Sequence, residues 1–145
     1  MAKPRRPKVL LVSRAFVRRR NGTYLLLQRA ANDPHNPGKW ECVGGKVEPG
    51  QDATRALLVE ALEEAGIIIL LATLLATYES HYITSGTYRD HIYLALFGIA
   101  EWVSGKVRLS HEHDDHAWVT YEQMFTYDLT DETRKAATAL EKELR

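Results

Sequence analysis

Residues 44–67 read GGKVEPGQDATRALLVEALEEAGI, and no other stretch of the chain narrows the fold so far. Gly44-Gly45, and Gly50 in a Glu-Pro-Gly turn, suit a backbone that needs positive φ or close approach to a ligand. Asp52 can cap a helix, residues 53–65 are mostly good helix formers, and Gly66 can end it as a left-handed residue. Glu60, Glu63 and Glu64 stand at i, i+3 and i+4, within an arc of roughly 100° on one face. Like charges at this spacing cost about 0.2–0.5 kcal/mol per pair. A hard divalent cation reverses that sign, and magnesium or manganese suits an all-oxygen set. A solvated acidic face explains EALEEAG taken alone; the glycine turn directly before it favours the metal.

At 145 residues the chain has the size of one domain with one substantial core. Its formal net charge is zero, so no global field points to nucleic acid or to a membrane. The lone Cys42 excludes an internal disulfide framework and suits a reducing cytosol, so a cytoplasmic location is expected. The apolar runs are too short to span a bilayer. Eight Lys/Arg and no acid occupy the first twenty residues, without the apolar core of a signal peptide. Residues 1–7 are expected to be a basic tail and 8–145 a single domain.

In chain order, residues 9–17 read as a strand, residues 18–22 as a turn around Asn21-Gly22, and residues 24–29 as the returning strand. The arginines at the turn are more simply a solvated hairpin tip than an RNA contact. A polar loop follows, then a short strand over 40–43. In the helix, Leu57, Leu58, Val59, Ala61, Leu62 and Ala65 form a broad apolar arc expected to pack on a sheet. Residues 67–78 read as a strand, 79–88 as a polar connection, 91–101 as a buried strand and 106–109 as a short strand. SHEHDDH at 110–116 reads mostly as a surface loop, because Asp115 stands where an HExxH zinc motif needs its second histidine. Residues 121–124 form one helical turn. Thr130 or Asp131 caps a last helix to Leu144, with Ala136, Ala137, Leu140 and Leu144 on one face. Strands around a crossover helix imply an α/β fold with a mixed sheet.

The 44–67 stretch resembles the signature of the Nudix hydrolases. Gly45, Glu60, Ala61, Glu63, Glu64, Gly66 and Ile67 match in register, while Gln51 and Val59 replace a glutamate and an arginine. The resemblance extends to Arg29-Ala30-Ala31 and to Glu41-Cys42-Val43-Gly44-Gly45-Lys46, which are similar to MutT-type members. It implies an α/β/α sandwich and hydrolysis of a pyrophosphate bond in a nucleoside diphosphate-linked substrate, with a (d)NTP giving (d)NMP and pyrophosphate as the leading case. Dinucleoside polyphosphates, nucleotide sugars and a catalytically silent nucleotide-binding module are the alternatives. It implies Mg2+, with Mn2+ as a substitute, held by Gly45, Glu60, Glu63, Glu64 and Glu112, the last because it lies six residues before Trp118. It further implies Glu60, Glu63 and Glu112 as catalytic residues, and Arg29 and Lys46 beside substrate phosphates.

Residues 127–130 lack the asparagine that oxidised-guanine pockets use, and Ile83 stands where ADP-ribose members carry a proline. Tyr82 falls one residue short of the tyrosine of dinucleoside-polyphosphate members. Tyr78, Tyr82, His91 and Trp118 can each stack on a base or pack in the core. In the family the residues at positions 51 and 59 brace each other. Here the loss of both charges reads as a compensated replacement, with Val59 packed in apolar surroundings. The expected partner is a nucleotide, with no membrane and no nucleic acid; a homodimer is left open.

Overall fold

A computed structural model describes residue 6 and residues 8–143, with the backbone alone for residues 76–78. The expected tail over 1–7, residue 6 apart, the Tyr78 side chain and Leu144 therefore lie outside the described residues. The elements are β1 (Lys8–Arg18), β2 (Tyr24–Arg29), β3 (Trp40–Glu41), β4 (Val43–Lys46), α1 (Ala53–Ala65), β5 (Ile68–Tyr82), β6 (His91–Ser104), β7 (His113–Val119), α2 (Tyr121–Met124) and α3 (Asp131–Glu143).

The sheet is built outward from β1. Along one side it pairs in parallel with β6, from Lys8↔His91 to Arg18↔Glu101. Beyond β6 lies β5, antiparallel. The other side of β1 is shared: β4 pairs with residues 12–15, and β2 meets β1 only at Arg18↔Tyr24. β2 then carries β3 and β7, both antiparallel. The sheet thus branches at β1, and the glycine pair lies on the strand at that branch.

Both faces are covered, which is why β1 and β2 read as apolar runs rather than as alternating strands. On one face Phe16, Tyr24, Leu26 and Phe97 pack with Met124 of α2 and with Ala136, Ala137 and Leu140 of α3. On the other, Ala15, Val17, Leu25, Leu27 and Ala100 pack with Leu57, Ala61 and Ala65 of α1. This is the expected α/β/α sandwich with a mixed sheet.

Four local expectations need correction. β5 runs on to Tyr82, because pairing with β6 continues through Tyr82↔Ile92. Residues 106–109 form no strand: the amides of Arg108 and Ser110 donate to the carbonyls of Ala65 and Glu64, at 2.9 and 3.1 Å. These carbonyls at the end of α1 need donors from outside the helix, and the segment supplies them. Residues 113–116 of SHEHDDH belong to β7 and not to a surface loop, because pairing with β2 begins at His113. The apolar arc of α1 is narrower than expected, since Leu58, Val59 and Leu62 are exposed. Val59 therefore does not hold the helix by apolar packing, and Gln51 instead accepts from the Glu48 amide within the turn before the helix.

Candidate active site

Helix α1 is placed by its ends. The Asp52 side chain accepts from the Arg55 amide, and Gly66 closes the helix in the left-handed region at φ 67°. Between those caps the three glutamates receive different surroundings. Glu63 faces solvent, Glu60 is half-buried, and Glu64 is buried with 4% exposure.

The glycine pair is needed because those carboxylates lie against it. A Cβ on Gly45 would meet Glu60 Cδ at 2.7 Å and both of its carboxylate oxygens at 3.0 Å. A Cβ on Gly44 would lie 2.2 Å from the Ser13 carbonyl oxygen, and Gly44 itself sits at φ 150°. The Gly44 amide donates to Glu64 Oε1 at 3.0 Å. The turn and the helix therefore dock through backbone and carboxylate, with no room for a side chain between.

Burial raises the Glu60 carboxyl above its ordinary pKa, the nearby charges of Glu63 and Glu112 raise it further, and Arg14 opposes them. Glu112 thus shares an electrostatic neighbourhood with Glu60 and Glu63. Its loop is strapped in place: the Ala30 amide donates to the Glu112 carbonyl at 3.0 Å, and the Ala31 amide donates to Asp114 at 2.9 Å. Burial also pushes Glu64 well up, against the Gly44 amide and Arg14, which favour its charge.

Among the described residues, no three His, Cys, Asp or Glu side chains close round a cation as they stand. The donor set still fits a hard one. It consists of carboxylates that repel one another, beside a glycine with no Cβ to occupy the space. Opposite charge is what such a cluster lacks.

Lys46 reaches outward from β4. Its ammonium donates to the Tyr88 hydroxyl, lies 5.0 Å from the centre of that ring and pairs with Glu48 at 3.4 Å. Arg29 is engaged within the protein: Nη1 donates to Glu41 Oε1 and Nη2 to Asp33 Oδ2, each at 2.7 Å. Trp118 lies under the Arg19 guanidinium, 4.0 Å from the ring centre. Tyr82 donates to Asp90, and the His91 ring packs edge-on to Tyr88.

A second set of groups is buried behind the glutamates, and its role is not evident from sequence. Arg14, 8% exposed, donates to the Cys42 carbonyl and to Glu132 Oε1, and stands 3.5 Å from Glu41 Oε1. Tyr93 donates to the other Glu132 oxygen at 2.7 Å. His113 Nε2 lies 2.9 Å from Glu41 Oε2. Burial alone would raise Glu41, but Arg14, His113 and Arg29 outweigh it and bring the carboxyl down to about 2. The sequence does hold one signal: Arg14 interrupts a run of apolar residues in VLLVSRAF. A charge inside a strand buried on both faces requires a partner. His113 gave none, because a bulge skips Asp114 between Gln28↔Asp115 and Arg29↔His113 and re-aims the histidine.

Comparison with known proteins agrees with this arrangement. Residues 8–140 match the NUDIX domain. Nucleoside triphosphatase NudI of Escherichia coli is 37% identical over 121 residues, spanning 79% of this chain and 85% of that protein. The MutT protein of Methanosarcina mazei Go1 superposes with a TM-score of 0.80 at 26% identity, over 98% of this chain and 99% of that one. The MutT NUDIX hydrolase of Burkholderia pseudomallei gives 0.72 at 28% identity, over 91% and 98%. With the capped carboxylate helix docked on its glycine pair and the domain matched almost end to end, the chain belongs to the NUDIX hydrolase family.

Proposed function

We propose that the protein converts a (d)NTP to (d)NMP and pyrophosphate with Mg2+, or Mn2+ in its place. The observation that carries this reading is Glu60, which lies against Gly45 and within electrostatic reach of Glu63 and Glu112. Glu60, Glu63, Glu64, Glu112 and the Gly45 carbonyl would hold the cation. When bound, the cation neutralises phosphate charge and makes a coordinated water more acidic. Glu60 takes the proton of the attacking water at a carboxylate oxygen. Glu63 and Glu112 orient that water and keep the local charge negative. Lys46 turns from Tyr88 and Glu48 to the phosphate oxygens, as a point charge on an exposed stem. Arg29 shares its guanidinium between Asp33 and the phosphates while staying on Glu41. Phosphoryl transfer needs positioning and charge stabilisation, so no side-chain nucleophile is required.

NudI is named a nucleoside triphosphatase, and that supports the choice of substrate class. No described helix is long and apolar enough to cross a membrane, and the buried free thiol of Cys42 suits a reducing cytoplasm. The test is a panel of canonical (d)NTPs, dinucleoside polyphosphates and nucleotide sugars with magnesium. Phosphate is read with and without added pyrophosphatase for the (d)NTPs, and with added alkaline phosphatase for the other two classes, whose products carry terminal phosphates that it releases. Phosphate from a (d)NTP that depends on the pyrophosphatase supports the proposal. Direct phosphate release, or turnover of the other two classes only, overturns it.

A further inference from the structure

One buried group has no part in that mechanism. The His113 side chain is 2% exposed and lies between two carboxylates. Nε2 is 2.9 Å from Glu41 Oε2, and Nδ1 is 3.8 Å from Glu64 Oε2. Glu41 is held ionised by Arg14 and Arg29, and a carboxylate only accepts, so Nε2 carries a proton and donates. Nδ1 has no hydrogen-bond partner, and Arg29 Nε is the other buried side-chain nitrogen so left among the described residues. A histidine packed for stability alone would not leave a nitrogen unpartnered in the core, because that costs stability. Nδ1 instead faces the free oxygen of Glu64, whose Oε1 already takes the Gly44 amide.

The same line continues the other way. Glu41 divides its oxygens, Oε2 for His113 and Oε1 for Arg29, and Arg29 goes on to Asp33. Three hydrogen bonds therefore link Asp33 of the 30–39 loop through Arg29 of β2 and Glu41 of β3 to His113 of β7, whose Nδ1 faces Glu64 of α1 at 3.8 Å. We infer that Glu41 and His113 are positioning residues that aim Glu64 at the cation and tie its setting to that of Arg29. The inference rests on Glu64 serving the cation, as proposed above. Groups placed behind a metal ligand in this way typically govern affinity by 10–100-fold.

The two imidazole nitrogens can be removed separately. His113→Gln puts an amide nitrogen near the Nε2 position, keeping the link to Glu41 and losing the one to Glu64. His113→Asn puts its amide near Nδ1 and does the reverse. Mn2+ affinity is read by the electron paramagnetic resonance of the free ion, without turnover, and Tm is measured on the same samples. The expected result is that His113→Gln weakens Mn2+ binding by about tenfold with Tm close to wild type. His113→Asn should bind Mn2+ within a few-fold of wild type despite a lower Tm. Wild-type Mn2+ affinity in His113→Gln overturns the inference, as does loss of affinity that follows Tm in both variants. If His113→Gln does not fold, Glu41→Gln decides. Its amide has one acceptor oxygen for two donors, so unchanged Mn2+ affinity there removes the relay. Failure of wild type itself to bind Mn2+ sinks the metal assignment instead.

Discussion

At the scale of single residues, the two adjacent glycines have separable duties. The atoms that would meet a Cβ on Gly44 are the backbone of residues 13 and 14 and the stem of Arg14, in the middle of the sheet. Those atoms cannot move aside. At Gly45 the obstacle is the far end of the Glu60 side chain, which can. Gly45→Ala should therefore keep its fold and displace the carboxylate assigned as base, lowering kcat by on the order of a hundredfold with little change in Tm. Gly44→Ala should fail in the opposite order, losing Tm before any specific loss of rate. Calorimetry beside a nucleotide assay separates the two. Equal Tm losses would mean that Glu60 does not rest on Gly45. Glu63→Gln, at an exposed position, should likewise cut the rate by on the order of a hundredfold without unfolding. A near wild-type rate would take Glu63 out of the site.

At the scale of elements, α1 is a rigid carrier whose register is set by its caps and by one sheet-facing stripe. Leu57, Ala61 and Ala65 at four-residue spacing lie in the core, and Leu58, Val59 and Leu62 do not. The C-terminal cap has a double constraint. Gly66 is left-handed, and a Cβ there would approach Arg108 Cβ to 3.3 Å. Gly66→Ala should therefore cost about 1 kcal/mol or more, visible as a shift in urea midpoint. Because residues 106–109 lean on the same helix end, their amides should exchange faster in that variant. Unchanged exchange at Arg108 would show that the cap and this segment are independent.

At the scale of the whole molecule, buried charge sets the response to acid. Glu41 is depressed from 4.5 to about 2, against its burial, by the charges of Arg14 and Arg29 and the hydrogen bond from His113, so its contribution is present above pH 4.5 and is lost as pH falls toward 2. Asp33, depressed to about 2 mainly by Arg29 and two backbone amides against its own burial, acts in the same direction. Glu64 is shifted upward, so its contribution runs the other way and fades as pH rises above 4.5. Glu41→Gln should be much less stable than wild type at pH 7, by up to about 3 kcal/mol, and the gap should narrow between pH 5 and 3. A constant gap across that range would mean that Glu41 titrates normally.

What could be read beforehand follows the same division. The helix, both its caps and the glutamate triplet are local facts, written within 24 residues, and the structure reproduces their boundaries. The charges behind them come from β1, β2, β3, β7 and α3. No spacing rule links Arg14 to Glu132 or Glu41 to His113; only the completed sheet does. Local polarity points to a loop over 110–116 and to an end of β5 near residue 78, but pairing with a distant strand decides both places, so β7 starts at His113 and β5 runs to Tyr82.

The parallel pairing of β1 with β6 has a consequence for how the chain comes to exist. Along one side the first strand waits for a partner that begins at residue 91 and whose pairing runs to residue 101. A ribosome releasing the chain from its N-terminus therefore exposes the apolar β1 and the finished carboxylate helix well before the centre of the sheet can close. Contacts so far apart in sequence make folding slow and leave unpaired edges open meanwhile. For this protein the interval between synthesis and safety is set by the distance from Lys8 to His91, and the carboxylate helix is made long before the sheet that aims it.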